Sequence, residues 1–198
     1  MAFYFTCKAP EVNLSEVLRY SRQKKNDETV VFTKECISKA NGAVSFSAVW
    51  DVFDITVSGG VTDLGPFSAE SASLAKMLCD YSRCVVFAAT IGADFDRLTS
   101  LYERKSPGTA VVLHGYGAER VESLCDELCG ELEKRFGKIS PRFSPGYGDL
   151  PLGTQTDIFR ILSPEKIGLF LNSSLLMSPS KSVTAFVGVS PADTSASR

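Results

Sequence analysis

Cys84-Val85-Val86-Phe87-Ala88-Ala89 is a continuous apolar run of strand length. A strand with one wet face alternates apolar and polar residues, so an unbroken run marks a central strand. Gly92 ends it, and Asp94 is placed to cap a following helix whose face is Phe95, Leu98, Leu101 and Tyr102. Ser106-Pro107-Gly108 reads as a turn, and a long helix is expected from there to about Phe136.

Upstream, Asn13 caps a helix that places Leu14, Val17 and Leu18 on one face. A second helix is expected from Asp27 to Lys39, ended by Asn41-Gly42. Val44, Phe46, Ala48, Trp50 and Val52 recur at spacing two, followed by Phe53 and Ile55, which predicts a strand bulged or broken near Asp51 and closed by Gly59-Gly60. Ser71 to Cys79 predicts a helix packing Leu74, Met77 and Leu78. Near the C-terminus a helix is expected from about Thr154, with Thr154 and Asp157 spaced like a capping box. Two strands then close the pattern, Ile167 to Leu171 and Val183 to Val189, and the residues from Pro191 read as a frayed tail. Helices before, between and after several strands, without regular strand–helix alternation, predict an α+β fold.

At 198 residues the chain suits one domain, 1–198, with 44% hydrophobic and 22% charged residues. A net charge of −2 and a pI near 5.5 argue against nucleic acid as a partner, which would require a clustered basic surface. Met1 to Phe5 are apolar, but no basic segment and long apolar core follow, and no apolar stretch reaches the ~18–20 residues that span a bilayer. Cys7, Cys36, Cys79, Cys84, Cys125 and Cys129, with no secretory leader, read as reduced thiols of a cytoplasmic protein, mostly buried and structural. Their spacing does not suit zinc, and His114 is the single histidine. His114 reads as a satisfied core residue within an apolar segment. Gly115-Tyr116-Gly117 lacks the third glycine of a dinucleotide site, and neither a Gly-Lys-Ser/Thr nor a Gly-x-Ser-x-Gly motif occurs.

Between the long helix and the Thr154 helix lies Pro141-Arg142-Phe143-Ser144-Pro145-Gly146-Tyr147-Gly148-Asp149-Leu150-Pro151-Leu152. Its prolines and glycines break both helix and central strand and hold one loop shape. Arg142 offers a planar fork of donors to a carboxylate or phosphate, and Tyr147 offers a flat ring with a hydroxyl. A rigid connector with a solvated arginine is the alternative reading. On the long helix, Val121, Leu124, Cys125, Leu128, Leu132 and Phe136 form an apolar stripe. At about 100° per residue Glu122 lies roughly 80° from its centre, with Glu119, Asp126, Glu127, Glu131 and Glu133 further round. Glu122 is thus the carboxylate nearest the buried boundary, where it is either a half-exposed helix residue or a ligand contact.

The loop resembles the Arg-x-x-x-Gly-Tyr loop of the activation domain of cobalamin-dependent methionine synthase. The resemblance continues through Gln155-Thr156-Asp157-Ile158-Phe159, Lys166 to Ser174, and Met177 to Val183, and upstream through Phe87 to Gly92 and Gly117 to Asp126. It covers roughly residues 80–190, with 1–75 fitting loosely. It implies a curved, mainly antiparallel sheet flanked by helices, in agreement with the α+β pattern. It also implies a site for S-adenosylmethionine (AdoMet) at Glu122, Arg142, Pro145, Gly146 and Tyr147, with Tyr147 near the corrin face. Arg142 would answer the ligand's carboxylate and Glu122 its ammonium or sulfonium, while backbone groups of residues 144–148 would meet the adenine.

The implied function is reductive activation, as a component of a methyltransferase. AdoMet is presented to cob(I)alamin held by a methionine synthase, after a flavodoxin-like donor supplies one electron. Two other readings are a non-catalytic cap docking on a corrinoid protein and an activator of a different corrinoid methyltransferase. After Gly146-Tyr147 the fused enzymes continue with a Pro-Ala-Cys-Pro-type segment where this chain has Gly148-Asp149-Leu150-Pro151-Leu152. The C-terminal tyrosines of the fused domain have no counterpart in Pro191 to Ala196. Both departures suggest a separately encoded relative acting in trans. Lys181 is a turn lysine or a contact to AdoMet or to a partner's acidic surface.

Overall fold

The computed structural model describes residues 2–190. The expected tail from Pro191, and the segment matching the missing tyrosines, lie outside them. In chain order the first half comprises β1 (Phe3–Thr6), α1 (Leu14–Tyr20), α2 (Asp27–Ser38), β2 (Ser47–Asp54), β3 (Thr56–Ser58), β4 (Val61–Asp63), β5 (Ser68–Glu70) and α3 (Ala72–Leu78). The second half comprises β6 (Arg83–Thr90), α4 (Ala93–Lys105), α5 (Pro107–Phe136), α6 (Thr154–Leu162), β7 (Phe170–Leu171), β8 (Met177–Ser178) and β9 (Ser182–Val189).

The apolar run at Cys84 is the middle of β6, which lies inside a four-stranded sheet of order β1-β2-β6-β9 with every pairing antiparallel. Successive side chains of a strand point to opposite faces. Val85, Phe87 and Ala89 therefore enter a core shared with α1, α2 and α5, and Cys84, Val86 and Ala88 enter a second core shared with α3 and α6. Burial on both faces is why β6 is apolar at every position from Cys84 to Ala89. Truncating Phe87, which has no exposed surface, to alanine would cost about 3–5 kcal/mol. A three-stranded sheet, β3-β4-β5, and the hairpin β7-β8 are also antiparallel. The α+β expectation holds. No helix among the described residues is long and apolar enough to cross a membrane.

α5 spans about 45 Å at 1.5 Å per residue and forms the spine of the first core. Its predicted turn contracts to one residue. Ser106 ends α4 and precedes α5, and Pro107 occupies the first helical position, where a missing N–H costs nothing. The Gly115-Tyr116-Gly117 pattern serves helix packing. A Cβ on Gly115 would lie 2.8 Å from Ser21 N and Val17 O of the α1 region, and one on Gly117 would lie 2.3 Å from Phe95 Cε1 of α4.

Several local expectations are corrected. The second strand breaks at Ile55, whose N–H turns to Ser82 O, and not at Asp51. Asp94 does not cap α4; Gly92 precedes that helix without a side-chain cap, and Asp94 pairs with Arg97. Leu101 is exposed while Thr99 on the same helix is buried. Thr154 and Asp157 form no capping box, because Thr154 is already helical and Asp157 pairs with Arg160. Pro164–Ile167 is a 3-10 turn ended by Gly168, so the expected strand from Ile167 shrinks to β7. His114 is half-exposed, with Nε2 2.9 Å from Glu103 Oε1 on α4, and Cys79 is exposed while Cys36, Cys84 and Cys125 are buried.

Candidate ligand-binding site

Arg142 follows α5 at the edge of the main sheet. Phe143 and Phe186 of β9 exchange both backbone hydrogen bonds, at 3.0 and 2.8 Å, so residue 143 behaves as a short piece of strand. Phe143 packs into the α3–α6 core. Strand alternation then turns Arg142 the other way, onto α5. There Nη2 donates to Glu122 Oε2 and Nη1 donates to Asp126 Oδ1, each at 2.7 Å. One fork is thus shared between two carboxylates a helical turn apart. Burial acts to lower the guanidinium's pKa, but Cys125, Asp126, Glu122 and Cys129 around it prevail and raise it. Arg142 is a fixed cation at any physiological pH.

Three shallow depressions run along this side of α5. The first, about 410 Å³, has Arg142, Asp126, Cys129 and Glu133 in its wall. The second, about 280 Å³, lies between α1 and α5 and is lined by Tyr20, Glu119, Glu122 and Asp126. The third, about 240 Å³, combines Glu122 and Tyr20 with Ala118, Val121, Val183 and Lys181. Glu122 borders the second and third, and Asp126 borders the first and second. The third has a partly apolar floor, a carboxylate and an ammonium. Burial lowers the Lys181 ammonium, with Asp96 opposing. The turn carrying Lys181 is tied to α4 by Asp96, which accepts from Ser180 N at 2.6 Å and from Ser180 Oγ at 2.9 Å.

Beyond Phe143 the loop folds on itself. Gly146 N donates to Leu150 O at 2.9 Å and Tyr147 N to Ser144 O at 3.1 Å, with Gly146 at φ 84° and Gly148 at φ 55°, conformations that favour glycine. Two anchors fix it to the second core. Leu150 is buried there, and Asp149 accepts hydrogen bonds from Ser71 Oγ at 2.5 Å, Ala72 N at 2.7 Å and Ser73 N at 3.2 Å at the start of α3. The Ser71 hydrogen bond, aided by those of Ser73 and Ala72 against a burial penalty, holds the Asp149 carboxyl at about 2.

The structure therefore joins Arg142 to Glu122 directly. Pro145 is buried at the base of the loop, Gly146 is exposed at its turn, and Tyr147 projects with 73% of its surface exposed. Among the described residues no hydrogen bond or ion pair links Tyr147 to Arg142 or Glu122. The Gly146 and Tyr147 amides, expected to meet an adenine, are engaged within the loop.

Two site residues escaped sequence reasoning. Asp126 lies four residues after Glu122, the spacing that brings side chains together on a helix, and that signal was available. Asp149 had none, since its partner Ser71 is 78 residues away in the chain. Glu119 is a correction: it was placed further from the buried face than Glu122, yet it is 2% exposed, because α1 covers that side of α5.

No protein-family model matches the chain, and no curated protein matches it in sequence. Among solved structures it is similar to the crystal structure of the MetH reactivation domain bound to AdoHcy, with a TM-score of 0.71. That similarity covers 96% of this chain and 79% of that one at 13% sequence identity. At such identity the likeness is one of fold. The resemblance read from the sequence thus holds in three dimensions: this chain has the fold of the MetH reactivation domain.

Proposed function

We propose that this chain, acting as one unit over residues 1–198, binds AdoMet along α5 and presents it in trans to a cobalamin carried by a methionine synthase. The observation that carries the reading is the Arg142 guanidinium held between Glu122 and Asp126 in the wall of an open depression. AdoMet brings one carboxylate, one ammonium and one sulfonium. A fixed cation flanked by two carboxylates has the opposite charges in the same ratio, and the three depressions fall near the size range of small-molecule sites.

Arg142 takes the ligand's carboxylate, and Glu122, bordering two of the depressions, takes the ammonium or sulfonium. Pro145 and Gly146 set the turn from which Tyr147 projects toward the methyl group and the partner's corrin. The chain's residues bind and orient, and the partner's cobalt supplies the methyl-accepting chemistry. A flavodoxin-like donor supplies the electron, and the setting is the cytoplasm. No proton-transferring side chain is needed, which suits a chain with one histidine paired to Glu103.

A second reading rests on Tyr147, Leu176 and Phe170, which are 73%, 62% and 57% exposed. They suit a cap that docks on a corrinoid protein without a ligand. Calorimetric titration with AdoMet, with and without a cobalamin-bearing partner module, tests both. Saturable binding that the partner strengthens supports presentation, whereas partner binding with no AdoMet binding supports the cap.

A further inference from the structure

The reading above gives Glu122 the ammonium or sulfonium and leaves Asp126 without a role of its own. It nevertheless occupies Nη1 of Arg142 at 2.7 Å, and both residues line the depression of about 410 Å³. Its own side chain is 74% exposed, against 43% for Glu122 and 24% for Arg142. The three partners are therefore unequal. Arg142 is held in place, Glu122 is half-covered between α1 and the Lys181 turn, and Asp126 can swing into water with little loss, since an exposed ion pair contributes little.

We infer that Asp126 is a specificity-determining residue that occupies the carboxylate position of the site and favours ligands carrying a second positive charge beside their ammonium. The inference rests on the AdoMet reading above. A ligand carboxylate reaches Nη1 by displacing Asp126, which then remains within a few ångströms of the ligand. An anion entering alone would leave three carboxylates around one guanidinium. A ligand with an adjacent ammonium and sulfonium instead gives the displaced Asp126 and Glu122 something to attract. Asp126 thus weakens binding of carboxylates in general and compensates those that bring cations. Glu122 cannot do the first, because it does not face the depression in which Arg142 lies.

The test is calorimetric titration of the wild-type chain, Asp126→Asn and Glu131→Gln with AdoMet and with S-adenosylhomocysteine, which lacks the sulfonium charge. Glu131, on the solvent side of α5 beside Lys134, controls for net charge. Asp126→Asn is expected to bind S-adenosylhomocysteine at least about threefold more tightly than wild type, and its preference for AdoMet over S-adenosylhomocysteine to fall at least about threefold. Glu131→Gln should change neither. Weaker binding of both ligands by Asp126→Asn would make Asp126 an attractive contact, and affinities within about twofold of wild type would make it a bystander. Either result overturns the inference while leaving the AdoMet reading in place. Absence of AdoMet binding by the wild-type chain defeats that reading and the inference together.

Discussion

Glu119 and Arg120 sit on α5 less than a turn before Glu122, yet the two glutamate–arginine associations differ in every physical respect. Arg120 and Glu119 expose 1% and 3% of their side chains, and the guanidinium donates to both Glu119 oxygens at 2.5 and 2.6 Å. Arg120 also donates to Pro10 O at 2.6 Å and Glu11 O at 2.9 Å, while Glu119 accepts from Asn13 N at 3.0 Å and from Ser123 Oγ at 3.0 Å. Arg142 instead reaches Glu122 and Asp126 from a separate loop, at the border of open depressions. The first pair is closed: its donors and acceptors are spent on holding the approach to α1 against α5. The second is open: Asp126 lies in water and can yield to a ligand. Burial and saturation, not residue type, separate a structural clamp from a binding site.

The largest effect expected from this contrast is on Arg120. Arg120→Ala leaves the buried Glu119 charge uncompensated and should lower unfolding free energy by about 3–5 kcal/mol, read by urea denaturation. A loss below about 1 kcal/mol would mean that the pair is wetter than its burial indicates. Arg142→Ala should behave in the reverse way. Stability should change by no more than about 1 kcal/mol. AdoMet affinity should fall at least about thirtyfold, because the charge-assisted contact to the ligand's carboxylate is removed and that carboxylate is left facing Glu122 and Asp126. Arg142→Lys should also be impaired, since an ammonium cannot reproduce the fork. Unchanged AdoMet affinity in folded Arg142→Ala would reduce the loop to a connector.

A smaller effect sharpens the role of Glu122. The wild-type chain should bind AdoMet more tightly than S-adenosylhomocysteine, and Glu122→Gln should reduce that preference by about fivefold, as expected for one charge contact in a wet site. Equal affinities in the wild-type chain would remove Glu122 from the sulfonium. The smallest effect concerns the other end of the loop. The Asp149 carboxyl falls from an ordinary 3.8 to about 2 on folding. Its contribution is therefore complete above about pH 4 and is lost as pH falls through about 2. Loop opening, followed by Tyr147 fluorescence or hydrogen exchange, should become more favourable over that interval. Asp149→Asn should flatten this dependence, and an unaltered acid transition would mean that the α3 anchor does not govern the loop.

Much of the architecture was legible because it depends on local period. The unbroken apolar run at Cys84 gave a central strand, and the stripe from Val121 to Phe136 gave the buried face of α5. The short elements β1, β4, β5 and β8 were not legible, since two to four residues carry too little period to stand out from a loop. Asp94 and the Thr154–Asp157 pair show a related limit: both had the chemistry of caps, but nearby Arg97 and Arg160 took the carboxylates. Of the site, Arg142 and Glu122 were legible as residue types, and their direct pairing was not.

The sequence by itself determined an α+β fold, a broken loop bearing one arginine and one tyrosine, and a long helix with a carboxylate at its buried boundary. Only the tertiary structure decided which carboxylates meet which guanidinium. That choice depends on the register of Phe143 against Phe186, which turns Arg142 toward α5, and on α1, which seals Glu119 while leaving Glu122 open. Both depend on residues far apart in the chain. Helical and strand periods fix which face a side chain takes on its own element, and the packing between elements fixes what that face meets.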